Sequence, residues 1–177
     1  VECFRGDSKN VLDRFYQCAK KYSLSTIVRI TADNPFNDPA VVDSVIKKFN
    51  LNDFDYITNS KPRTFPQGIS VEVFSFKVLE IAWRNAKLPS EKEHVTPYIY
   101  NNPQDFKIFN YSLNTDLSNL RWTVDRKNDY ELSKNIASKI QKLPITIDDI
   151  LNLFEREPEL ININIVHDAD EGYKKSL

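Results

Sequence analysis

The chain has 177 residues, of which 41% are hydrophobic and 28% charged, with a formal net charge of -1. That length buries a real core and suits one domain over residues 1–177. The balanced charge leaves no electrostatic footprint for nucleic acid, and no apolar run is long enough to span a membrane.

In chain order, residues 1–4 read as the end of a strand, and Arg5-Gly6-Asp7-Ser8 as a turn in which Asp7 or Ser8 caps a helix. Val11, Leu12, Phe15, Cys18, Ala19 and Tyr22 fall at helical spacing over residues 9–22. Residues 25–30 are dominated by β-branched side chains and predict a buried strand. Thr31-Ala32-Asp33-Asn34-Pro35-Phe36-Asn37-Asp38-Pro39 follows. Asp38 and Pro39 suit the N-cap and first position of a helix marked by Val41, Val42, Val45, Ile46 and Phe49. Asp33 stands just beyond the strand's carboxyl end, where open α/β sheets bind ligands. It admits two readings, a turn residue and a metal ligand.

Residues 55–59 predict a short strand, 60–68 a loop carrying Lys61 and Arg63, 69–74 another strand, and 76–86 a helix. Ser90, with Glu93 three residues on, predicts a capped helix that carries His94 and continues to about Tyr100. Residues 106–113 and 120–124 look like two more strands, the second ended by Asp125. A helix over 128–142 and another over 147–154, capped by Thr146 with Asp149, complete the pattern; residues 158–177 are polar and poorly periodic. Strands alternating with helices, with a hairpin-like pair late in the chain, favour an α/β layered domain with a mixed sheet.

Two cysteines, Cys3 and Cys18, are too few for a disulfide framework and form no Cys-x-x-Cys pair, so reduced thiols in a cytoplasmic protein are expected. His94 and His167 lack neighbours at zinc spacing. Gly6, Gly68 and Gly172 are the only glycines, and no phosphate-gripping loop can be written from them.

Several segments carry a resemblance. They are Phe4-Arg5-Gly6-Asp7 with Val11-Leu12-Asp13-Arg14-Phe15; Arg29-Ile30-Thr31-Ala32-Asp33-Asn34-Pro35; Arg63-Thr64-Phe65-Pro66 through Val71-Glu72-Val73-Phe74; Glu93-His94-Val95-Thr96-Pro97-Tyr98; Leu120-Arg121-Trp122-Thr123-Val124-Asp125; and Glu171-Gly172-Tyr173-Lys174-Lys175-Ser176-Leu177. Together they resemble the spore coat polysaccharide biosynthesis protein F family, a branch of the cytidylyltransferases that make CMP-activated acidic sugars. The resemblance implies a three-layer, Rossmann-like nucleotide-diphospho-sugar transferase fold. It implies attack of a sugar hydroxyl on the α-phosphate of CTP with release of pyrophosphate, in a homodimer, with Mg²⁺ as cofactor.

By the same resemblance Asp33 and Asp125 become the metal and catalytic acids, while Arg63, Glu72 and His94 line the sugar side. Read from local context alone, Arg63 also suits a solvated loop, Glu72 a solvent-facing strand position, and His94 a surface histidine. Arg121 is expected to pair with an acid for structure. Tyr98, Ile99 and Tyr100 form an apolar cluster that would serve a dimer face.

Two departures stand out. Ser70 occupies a position where the family generally carries an acid, and the family's opening strand and nucleotide-gripping loop do not precede Val1. The expectation is therefore an N-terminally truncated, substrate-side portion that is inactive by itself. The alternative is a non-catalytic sugar-binding or dimerisation module. A glycosyltransferase reading is weaker, because Asp33-Asn34-Pro35 is not an Asp-x-Asp motif.

Overall fold

Side-chain alternation along the strands sets the layers of the computed structural model, which describes residues 2–164. One mixed sheet has the order β1 (Thr26–Arg29), β3 (Glu72–Ser75), β2 (Tyr56–Thr58), β4 (Ile108–Asn110). β3 runs antiparallel to β1 and β2, and β4 runs parallel to β2. Tyr56 and Phe74 point to one face and Ile57 and Val73 to the other, as the two-residue period requires. The first face packs on α1 (Val11–Lys21), α3 (Phe76–Asn85) and α5 (Pro97–Tyr100) through Leu12, Tyr16, Val78, Leu79 and Ile99. The second packs on α2 (Pro39–Asn50) through Val45. The result is the expected three-layer α/β arrangement with a mixed sheet.

A third apolar cluster lies beside the sheet. Trp122, Phe65 and Ile69 pack there on α6 (Lys127–Lys139), α7 (Ile147–Arg156) and a 3-10 turn, Pro158–Ile163, through Leu132, Ile136, Ile150, Leu153 and Leu160. Among the described residues no helix is long and apolar enough to cross a membrane.

Capping fixes several helix starts. The Asp38 carboxylate accepts from Ala40 N at 2.8 Å and from Ile147 N at 3.0 Å, so it caps α2 and also ties the start of α7 to it. Thr146 and Asp149 form the expected reciprocal box. α1 is capped by Asn10, whose Oδ1 accepts from Asp13 N at 3.1 Å. Asp7 folds its own turn instead, accepting from Lys9 N at 2.7 Å.

The structure corrects other expectations. Residues 2–4 form no strand. β1 is not wholly buried: it is the outer strand among the described residues, and Val28 and Ile30 stay exposed. Residues 120–124 form no strand either. Trp122 N and Thr123 N both donate to Gln67 O, at 2.6 and 3.1 Å, and the segment makes one isolated bridge to residue 67. The helix foreseen over 90–100 is two: α4 (Pro89–His94), entered from Leu88 with Pro89 in the first turn, and α5. Ser90 lies inside α4, and Glu91 caps it by accepting from Lys87 N and Leu88 N at 2.7 and 2.9 Å. Val95, at φ 73°, breaks the run, a backbone state that opposes its β-branched side chain. Ile99 is fully buried, while Tyr98 and Tyr100 are half-buried and pack on the same cluster. His167 and the Glu171-to-Leu177 motif lie outside the described residues.

Two contacts hold segment 121–126 in place. Gly68 adopts φ 107°, and a Cβ there would stand 2.5 Å from Thr123 N and 2.6 Å from the Trp122 carbonyl carbon. Buried Asp129 accepts from Arg121 Nε at 2.9 Å, Arg121 NH2 at 3.0 Å, Asp125 N and Arg126 N at 3.1 Å each, and Asn164 Nδ2 at 2.8 Å. Burial works against its charge, but the hydrogen bonds from Arg121 and Asn164 outweigh it and hold the carboxyl below its ordinary pKa.

Gly68→Ala combines overpacking against backbone with an unfavourable φ and should destabilise by about 3 kcal/mol or more, read as a lowered urea midpoint. Asp129→Asn leaves Arg121 short of countercharge and should cost roughly 3–5 kcal/mol near neutral pH. A depressed folded-state pKa contributes stability that is present above the unfolded value and lost as pH falls through the folded one. The gap between Asp129→Asn and the unsubstituted protein should therefore narrow below about pH 4, measured by urea unfolding across pH.

Candidate functional site

A polar cleft of about 390 Å³ opens beyond the carboxyl ends of β1 and β2. Asp33, Arg63, Glu72, His94 and Asp125 all line it. These residues come from separate parts of the chain, and the sheet and its loops bring them together.

Asp33 sits in a turn closed by Asn34 N donating to Thr31 O at 3.2 Å and by the Asn34 amide donating to the Thr31 hydroxyl at 2.9 Å. Val124 N donates to Asp33 O at 2.8 Å, and the Thr123 hydroxyl reaches Asp33 Oδ2 at 3.4 Å. The turn role is real, and it leaves the exposed carboxylate facing the cleft. The same contact sets segment 123–125 beside Asp33. Asp125 arrives there on an irregular loop rather than at a strand end, because Arg121 and Asp129 fold that segment. Arg121 NH2 donates to Asp125 Oδ2 at 2.7 Å, so one oxygen of Asp125 is engaged. Arg121 is thus a structural cation, as its pairing suggested.

Glu72 does not face open solvent. It is 7% exposed, and its carboxylate accepts from Arg29, from the Tyr56 hydroxyl and from the Thr96 hydroxyl, the last at 2.6 Å. Burial, then the neighbouring Glu72 charge, push the Tyr56 phenol well above its usual range, so it remains a donor. His94 ends α4 half-buried, and desolvation lowers its pKa, with Arg29 adding to the effect and Glu93 and Glu72 opposing it. At neutral pH the imidazole is uncharged. Arg63 NH1 donates to Ser70 Oγ at 3.1 Å, so the serine at the departed position still receives this cation. Lys61 Nζ lies 4.1 Å from the centre of the Tyr100 ring at the same cleft.

Arg29, Thr96, Lys61 and Tyr100 belong to the cleft and were not among the expected site residues. Arg29 had a signal: a charged side chain within an otherwise apolar strand. Thr96 had none, since the break at Val95 turns it inward.

A divalent cation is testable against these donors. No group of three or more His, Cys, Asp or Glu able to hold a metal occurs among the described residues. Asp33, with its accessible carboxylate, and the second oxygen of Asp125 fit an ion held by one or two carboxylates, with water and substrate phosphate completing it.

Comparisons with known proteins agree with the fold. The sequence model of the cytidylyltransferase family matches residues 1–162. An uncharacterized protein of Methanocaldococcus jannaschii is 39% identical over 166 residues, which is 93% of this chain and 67% of that protein. The spore coat polysaccharide biosynthesis protein SpsF of Bacillus subtilis is 33% identical over 162 residues, 88% of this chain and 65% of its own. The structure of a cytidylyltransferase from Leptospira borgpetersenii superposes with a TM-score of 0.88 at 31% identity, over 93% of this chain and 70% of that one. The chain spans about two thirds of the length of the curated relatives it matches. By the family match over nearly its whole length and by its fold, the chain belongs to the cytidylyltransferase family.

Proposed function

We propose that the protein transfers CMP from CTP to an acidic sugar, releasing pyrophosphate, in polysaccharide biosynthesis. The observation that carries this reading is the shared cleft, with Asp33 and Asp125 on one wall and Arg63, Glu72 and His94 around it. The biosynthetic setting is supported by the Bacillus relative's description as a spore coat polysaccharide biosynthesis protein.

In this reading Asp33 and Asp125 hold Mg²⁺. When bound, the ion supplies neutralisation of the phosphate charge. The chain's own residues do the rest. Arg121, fixed by Asp129, keeps Asp125 aimed at the cleft and limits its freedom before ligand arrives. Arg63 and Lys61 bring positive charge to a region that must accept an anionic substrate. Neutral His94 offers a ring nitrogen to a sugar hydroxyl without adding charge.

The test compares substitutions of two aspartates by pyrophosphate release with CTP, Mg²⁺ and a panel of sugar acids. Asp33→Asn keeps the turn and removes the charge. It should lower turnover by about 10²–10³ while the melting temperature stays within experimental scatter. Asp38→Asn should do the reverse. Both Asp38 oxygens accept from backbone amides, so the substitution turns an NH2 toward an N–H and costs roughly 1–3 kcal/mol, with turnover per folded molecule retained. Near-normal turnover by Asp33→Asn would place the metal elsewhere.

A further inference from the structure

We propose that Arg29 receives the carboxylate of the acidic sugar and that Glu72 holds it ready, an inference that rests on the sugar-activating reading above. Arg29 sits on β1, directly opposite Glu72 on β3. Its side chain is 17% exposed and lines the cleft. Among the described residues its guanidinium makes one hydrogen bond, from NH1 to Glu72, and its Nε is buried with no partner. A guanidinium offers five donors in a planar fork, and buried donors are normally satisfied. A strand-mounted guanidinium that lines a polar cleft and keeps donors unspent on its terminal nitrogens suits a planar oxyanion.

Glu72 is a positioning residue in this scheme. Its oxygens are taken by Arg29, Tyr56 and Thr96, so it fixes the guanidinium and does not itself reach for ligand. Three other cleft cations are less suited. Arg121 is spent on Asp129 and Asp125. Arg63 binds Ser70, and Lys61 lies over Tyr100.

Two oxyanions could enter the cleft, a sugar carboxylate and a nucleotide phosphate. Asp33 and Asp125 with their cation suit the phosphates. Arg29 is grouped instead with Glu72, Thr96 and His94, which favours the sugar.

The test is a calorimetric titration of the 177-residue chain with a panel of 2-keto-3-deoxy sugar acids, their methyl esters, and pyrophosphate, without CTP or Mg²⁺. At least one acid should bind, and its ester should bind about 10- to 100-fold more weakly. Arg29→Lys keeps the charge opposite Glu72 but loses the fork. It should erase most of the acid-over-ester preference and leave pyrophosphate binding unchanged. Glu72→Gln should reduce the same preference while Arg29 remains. If either single variant misfolds, Arg29→Gln combined with Glu72→Gln removes both charges together and should abolish the preference. Equal binding of acid and ester by the unsubstituted chain, or no binding of any acid, overturns the assignment. So does a loss confined to pyrophosphate, which would make Arg29 a phosphate residue. Sugar-acid binding with this pattern beside a failed CTP assay would sink the transfer reaction and leave the carboxylate site standing.

Discussion

The buried Asp129 carboxylate is the contact on which the Asp125 side of the cleft depends. Segment 121–126 belongs to no strand; backbone bonds to Gln67 O and Asp33 O hold its middle, and the rest of its anchoring comes from side chains. Asp129 supplies it by gathering both ends of the Arg121 fork, two backbone amides of the segment and the Asn164 amide. A carboxylate with five donors tolerates burial because its lone pairs are filled, and a bidentate arginine fixes direction as well as distance. Gly68 completes the clamp from the other side, since nothing larger than hydrogen fits against Thr123. Asp125 is thereby delivered to the cleft without a strand to carry it.

The opposite wall is built by a break. In an unbroken helix His94 and Thr96 would point about 160° apart. The left-handed backbone at Val95 ends α4 and restarts the chain as α5, so both residues line one cleft. Val95 is itself fully buried among α1, α3 and α5. The packing of its side chain and the strain of its backbone are opposed, and packing prevails, as is common where strain shapes a site.

Much of this was legible in the chain. Apolar spacing located α1 and α2, and Asp38-Pro39 and Thr146 with Asp149 marked the starts of α2 and α7 by local hydrogen-bond chemistry. The cleft acids were found by resemblance and by the position of Asp33 beyond β1. What escaped depends on distant partners. Leu120, Trp122 and Val124 alternate like a strand, yet residue 67 and Asp129 hold that segment in another form. A solvent-facing position stayed open for Glu72 beside the sugar-side reading, because Arg29, Tyr56 and Thr96 are far from it in sequence. The Val95 break left no trace, since a β-branched residue is a poor guide to positive φ.

The pairing of Arg29 with Glu72 reaches beyond ligand recognition. They face each other across two antiparallel strands, and strand side chains alternate faces. A slip of β1 by one residue would set Val28 or Ile30 against the carboxylate and leave a buried acid without its cation. The same slip would carry Ile27 off the core face, so burial and the charge pair select the same alignment. A charge pair at one rung makes the wrong offsets costly. The cleft's own residues thus help to specify the sheet's alignment: strands joined out of step cannot complete the site.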